Sequence, residues 1–288
     1  MPKDFLRAGA LTLAILAVLL FSATAFEWPA DAGKFRYGFG SFRNGFLRGV
    51  EFGAAESLVR AVDRGELTFV ATGTSLPGGY PIHGGSLLVV SHASDMMSIY
   101  AGLQRGSSSS FLKNLQPGDI LGRSTAAVNG RGVSFYAYDS KARRFINPLV
   151  LMPRIPDDKP PVIRSATLSL KGQDTVMDAT KPIRQGLYHL LLDAFDTTPA
   201  GAAGAPFEVR VLLDGSERAR VVYDASWAAG GTSLLFGATG LVEDEFQTPD
   251  GRMRFGPFNV SSGRVVLTII ASDYAGNKRE QTYSISVQ

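Results

Sequence analysis

The 288-residue sequence has no cysteine. That absence excludes disulfides and excludes lipid attachment at an N-terminal cysteine. A chain of this length must then be held by one or two apolar cores. Histidine is almost as scarce, with only His83, His92 and His189 present. No two of them stand at the i, i+2 or i, i+4 spacing that places two imidazoles on one metal. Charge of either sign is not in excess: 29 basic side chains face 26 acidic ones. The charges are dispersed, so there is no polybasic stretch to meet nucleic acid and no acidic tail. A sequence pI of about 9.1 is compatible with an anionic cell wall and establishes nothing further.

There is also no apolar run of the roughly 20 residues that a spanning helix needs. The longest, residues 8–21, is broken only by Thr12. Lys3 and Arg7 precede it, and Ala23-Thr24-Ala25 follows as a small-residue cleavage site. This pattern predicts a secretory signal over residues 1–25, a mature chain starting near Phe26, and no stable transmembrane anchor after cleavage. Without Lys3, Arg7 and Asp4 the mature chain keeps 27 basic against 25 acidic side chains, still too balanced for a nucleic-acid partner.

What the chain does have is short apolar segments separated by glycine-rich turns. Residues 67–71, 86–91, 98–103 and 133–138 read as strands. Residues 54–62 fit a short helix by local pattern. Gly106 and the run Ser107-Ser108-Ser109-Ser110 read as a loop. Gly38-Phe39-Gly40 lacks the strand-then-helix context of a phosphate loop, so a nucleotide site is not expected. Residues 153–161 hold four prolines and form a stiff spacer, with the boundary placed at 157–161. Beyond it, Val209, Val211 and Leu213 alternate with polar or partner positions before Asp214-Gly215, a hairpin-turn pair. Residues 265–271 are a continuous apolar run, and Tyr283, Ile285 and Val287 alternate with Ser284 and Ser286. About seven strands of this kind predict a β-sandwich over 162–288. Asp193, Asp196 and Asp273 in this half are read as turn formers rather than calcium donors.

The first half, 26–156, carries an ordered set of motifs. They are Arg48-Gly49-Val50-Glu51-Phe52, Ser98-Ile99-Tyr100-Ala101-Gly102-Leu103, Leu115-Gln116-Pro117-Gly118-Asp119, Gly132-Val133-Ser134-Phe135-Tyr136 and Asn147-Pro148-Leu149. In this order and spacing they resemble the LytM (lysostaphin-type) zinc endopeptidases of peptidoglycan. The resemblance implies an antiparallel β-sheet groove, so the whole chain is expected to be all-β. By the same resemblance, residues 54–62 become a loop followed by a strand, and His92 becomes a turn residue that does not bind metal. Ala271-Ser272-Asp273-Tyr274-Ala275-Gly276-Asn277 is similar to a turn of bacterial immunoglobulin-like domains.

The family's zinc ligands come from H-x-G-x-D and H-x-H, with a further histidine after Tyr-Ala. Here Leu47 stands for the first histidine and Glu51 for the aspartate. Val133 and Phe135 are taken for the H-x-H pair, and Gly102 for the further histidine. One carboxylate does not make the three-ligand site that zinc hydrolysis requires. The expectation is a family fold without family catalysis, with no metal, no cofactor and no catalytic residue. Leu47, Glu51, Gly102, Val133, Phe135 and Tyr136 are then the candidate walls of a binding groove. The resemblance implies a periplasmic or envelope location and a cell-wall hydrolase or peptidoglycan as partner. The alternatives are a structural or adhesive surface scaffold and, against the ligand count, an active zinc endopeptidase.

Overall fold

The computed structural model describes residues 26–42, 45–53, 57–72, 85–104, 113–124, 132–177, 181–229, 232–235 and 243–288. The expected signal, His83 and the serine run 107–110 lie outside the described residues. The fold is all-β, with one α-helical turn among the described residues, at Glu243–Phe246. No described helix is long and apolar enough to cross a membrane.

The first half is organised around one antiparallel sheet. Ser134–Asp139 pairs with Met96–Leu103, which pairs with Ser86–Ser91, which pairs with Gly65–Thr72. On the other side Ser134–Asp139 receives both Val50–Phe52 and Arg144–Ile146. Leu58–Arg60 is a strand, paired with Ile120–Arg123. The resemblance therefore gave the better reading of that segment than local helix pattern. Strand period 2 splits the side chains of this sheet between two faces. Val50, Leu88, Tyr100 and Phe135 fall on one face and join Phe35, Phe52 and Leu115 in a buried cluster. Leu87, Ala101 and Tyr136 fall on the other.

The second half packs two antiparallel sheets over one core. Val162–Leu170, Gly186–Thr197 and Met253–Val260 form the centre of one sheet. Glu208–Leu213, Gly263–Ser272 and Lys278–Val287 form the other with Ser216–Val222. Leu168, Leu190, Leu192 and Phe255 meet Val209, Val211, Leu267 and Ile269 in the shared interior. The expected alternation is present: Val209, Val211 and Leu213 point inward while their neighbours are half-buried. Asp214 and Gly215 both take positive φ, 50° and 77°, as a two-residue hairpin turn of this twist needs.

The two halves are not independent bodies joined by a spacer. Ala225–Ala229 leaves the second half and pairs with Arg144–Ile146, extending the first sheet through Ile146↔Ala225 and Arg144↔Trp227. Phe39 and Phe46 of the first half lie in the core of the second beside Tyr223 and Phe246. At Gly40, φ is +87° and a Cβ would stand 2.2 Å from the Tyr223 ring. Only glycine permits both that backbone and that approach. Residues on both sides of the 157–161 boundary therefore share a sheet and a core.

Candidate functional site

The six positions singled out from sequence do not form one groove. The register places Val50 opposite Phe135 and Glu51 opposite Ser134. Tyr100 stands opposite Phe135, and Ala101 opposite Ser134. Val133 and Phe135 therefore belong to the core face, away from Glu51. Phe135 is fully buried, edge-on to the Tyr100 ring at 5.2 Å between centroids. The side chains that share a face with Glu51 are Ser134 and Tyr136. The H-x-H assignment to Val133 and Phe135 is one residue out of phase, and in a strand one residue reverses the face. The structure instead sets Ser134 directly opposite Glu51, with Tyr136 next along the same face.

The corrected set still offers zinc no imidazole. Leu47 packs against the cluster of Leu87, Ala101 and Tyr136. Glu51 is 5 % exposed and Tyr136 6 %, so this face is largely covered. Ser134 Oγ is buried and has no hydrogen-bond partner among the described residues. The Tyr136 ring lies 6.2 Å from that of Phe145, and the Arg48 guanidinium stands 5.9 Å from the same Phe145 ring. Leu47, Glu51, Ser134 and Tyr136 do not fit a hydrolytic zinc, which takes three nitrogen, sulfur or carboxylate ligands and an open position.

Gly102, the position the resemblance gives to the further histidine, is not a groove wall. Its φ is +90°, and a Cβ there would meet the Gly132 carbonyl oxygen at 2.7 Å. The backbone closes over the position, so the glycine is a packing requirement and not a vacancy.

His92 is half-buried and held in a polar chain. Its Nδ1 lies 2.8 Å from the Arg64 carbonyl oxygen and its Nε2 lies 2.7 Å from Ser98 Oγ. A carbonyl only accepts, so the ring carries a proton on Nδ1. Ser98 Oγ is 3.1 Å from Tyr100 Oη, which accepts from the Val62 N–H at 3.0 Å. Burial pushes the Tyr100 hydroxyl well above the ordinary phenol range. The chain ties the segments at Val62, Arg64 and His92 to the strand Met96–Leu103.

A feature that sequence reasoning did not place as a site lies where the two halves meet the spacer. A cavity of about 360 Å³ there is lined by Phe35, Phe39, Asn147 and Tyr274 and by acidic side chains. Carboxylate oxygens of Asp157, Asp196 and Asp273 come within 4.8 Å of one another. Asp193 is not among them; it pairs with Arg164 at 2.9 Å. Asp273 is indeed a turn former, accepting from the Gly276 and Asn277 N–H groups at 2.6 and 2.9 Å. Burial, then the neighbouring charges of Asp273 and Asp157, push the Asp196 carboxyl up to about 7.

Comparison with known proteins adds a partial outline. A family model that carries no functional description matches residues 160–288. No curated protein sequence matches the chain. Among solved structures, Csd3 of Helicobacter pylori shares 23 % identity over 45 % of this chain, with a TM-score of 0.34. This chain spans 35 % of the Csd3 chain. The M23 metalloprotease pseudoalterin matches at 17 % identity over 41 % of this chain and 73 % of its own, TM-score 0.30. Lysostaphin matches at 14 % identity over 78 % of this chain and 87 % of its own, TM-score 0.32. The neighbours are of the LytM type. Scores of this size assign no residue roles.

Proposed function

We propose that this chain is a non-catalytic protein of the cell envelope, exported by its leader, with a degenerate LytM-like half and an immunoglobulin-like half. The observation that carries the reading is the composition of the Glu51 face. Leu47, Ser134 and Tyr136 share this face with Glu51, and none of them carries an imidazole. One carboxylate among them leaves too few donors to hold a metal against water. Its partner is a cell-wall hydrolase or peptidoglycan, reached at the rim of this face, where Leu47 is half-buried and the other candidate positions are buried. A structural or adhesive scaffold is the second reading, favoured by the burial of Glu51, Ser134 and Tyr136.

The test uses the full mature chain. Metal analysis should find no stoichiometric zinc, and incubation with peptidoglycan should release no muropeptides. About one zinc per chain with chelator-sensitive cleavage would overturn the proposal. Envelope pull-down with wild type and with Leu47→Asp separates the two readings. Loss of a captured partner in the variant supports binding at this rim; an intact protein that captures nothing leaves the scaffold. The fold of this face is tested by Leu47→His with Glu51→Asp and Ser134→His, because Ser134 stands directly opposite Glu51. Three ligands then share one face, and zinc binding should appear. The same triple with Phe135→His in place of Ser134→His should bind no zinc, because its imidazole enters the opposite core.

A further inference from the structure

We propose that the open flank of the second half binds an acidic glycan, with Arg218 and Arg264 as its anion contacts. The inference does not depend on the LytM reading. It starts from the edges of the two sheets. Ser216–Val222 pairs with Glu208–Leu213 alone, and Met253–Val260 pairs with Gly186–Thr197 alone among the named strands. These two edge strands belong to opposite sheets, and a cleft of about 1020 Å³ lies between them. That volume is at the upper end of ligand sites. Its floor is the margin of the shared core, where Leu213, Phe255, Phe258 and Val265 are buried.

Both edges are bulged at this cleft. Val211 stands opposite Ala219 and Leu212 opposite Glu217, so Arg218 is an extra residue in its strand. Tyr188 stands opposite Phe258 and Leu190 opposite Phe255, so Gly256 and Pro257 together face His189. A bulge interrupts regular pairing and re-aims a side chain. Arg218 lines the cleft and has no ion pair or hydrogen bond among the described residues. Pro257 has no N–H to offer. Neither edge therefore presents an unbroken ladder to a partner strand, and the cleft is left to side-chain recognition.

The charged groups around it divide into engaged and unengaged. Arg220 pairs with Glu208 at 2.6 Å, and Glu217 pairs with Arg210 at 2.7 Å. Asp214 Oδ1 accepts from the Val266 N–H at 2.8 Å. Arg264 uses only its Nε, which donates to Ser284 Oγ at 2.7 Å. The side chains of Asn259, Ser261 and Ser262 line the cleft with no hydrogen-bond partner among the described residues. The unengaged groups are thus two guanidinium ends, one amide and two hydroxyls. Such a set is rich in donors and carries positive charge beyond what Asp214 offsets. Its complement is a ligand with negative charge and many acceptor oxygens. A chain of carboxylated or phosphorylated sugars supplies both. A neutral glycan lacks the anion, and an acidic polypeptide lacks the hydroxyls that Asn259, Ser261 and Ser262 can meet.

The test is binding of polygalacturonate to the full mature chain at low salt, where exposed charges are least screened, beside neutral dextran and poly-glutamate. Polygalacturonate should bind and dextran should not; equal binding of dextran overturns the proposal. Poly-glutamate binding as tightly as polygalacturonate would make the partner an acidic polypeptide and overturn the glycan assignment. Competition by glucuronate and by glucose 6-phosphate shows whether carboxylate or phosphate is preferred, and failure of both to compete also overturns it. Arg218→Gln and Arg264→Gln should each weaken binding roughly tenfold. Arg254→Gln removes an exposed charge from the same half outside the cleft and should leave binding unchanged. An equal loss there would reduce the effect to net charge and sink the site. NMR of wild type with a galacturonate oligomer needs no variant: the amides of Arg218, Asn259, Ser261 and Ser262 should shift. Shifts confined to the Leu47 rim would overturn this inference and leave the reading of the Glu51 face standing.

Discussion

The Glu51 face and the spacer junction are both places where carboxylates meet packed aromatic rings, yet they are built in opposite ways. At Glu51 a sheet face that the LytM resemblance assigns to metal chemistry is covered, and its neighbours are Leu47, Ser134 and Tyr136. At the junction three aspartates from distant segments border an open cavity, and one is driven far from its ordinary protonation. The first place lacks the donors that the LytM resemblance leads one to expect. The second has perturbed charge and space but no motif. Function is better sought where charge is unbalanced and reachable than where a pattern has merely survived.

Phe135→Ala gives the largest effect that sharpens this contrast. Phe135 is core, so the change should lower stability by roughly 3–5 kcal/mol, read by denaturant unfolding. A loss below about 1 kcal/mol would return Phe135 to an accessible wall and undo the corrected register. The next is Gly40→Ala, which forces a Cβ onto the Tyr223 ring at a positive φ. It should cost roughly 2–4 kcal/mol and lower the unfolding midpoints of reporters in both halves together. Calorimetry of wild type should show one transition, since the halves share a sheet and a core. Two transitions, with only one moved by Gly40→Ala, would restore the picture of separate units.

The smallest effect concerns pH. Asp196 has a folded pKa raised above the unfolded value. Between about 4 and about 7 the folded protein therefore holds a proton that the unfolded chain has lost. Stability should fall as pH rises through that window and level off above it. Asp196→Asn should flatten the decline. An identical slope in the variant would move the titration to another group and leave the junction no more active than the Glu51 face.

Much of the architecture was legible because strand burial has a short local signature. The alternation at 209–213, the Asp214-Gly215 turn and the runs at 86–91 and 265–271 each appear where the pattern put them. Asp273 was legible as a turn former because Asn and Gly follow it at the right spacing. Parity was not legible at 133–136. Val133, Ser134, Phe135 and Tyr136 are all buried, so hydrophobicity gives no alternation there to reveal which pair faces Glu51. Only the ladder Val50↔Phe135 and Glu51↔Ser134 settles it.

The sequence by itself determined that this chain has no thiol chemistry, no imidazole set for zinc and an all-β pattern, because those are properties of residue identity and local period. The tertiary structure alone decided that a strand of the second half completes the first sheet, that Gly102 is closed by the Gly132 carbonyl, and that Asp157, Asp196 and Asp273 meet. Each of these joins residues that stand far apart along the chain or depends on a backbone path over a neighbour. Local preference carries no information about either; packing of the shared core fixes both.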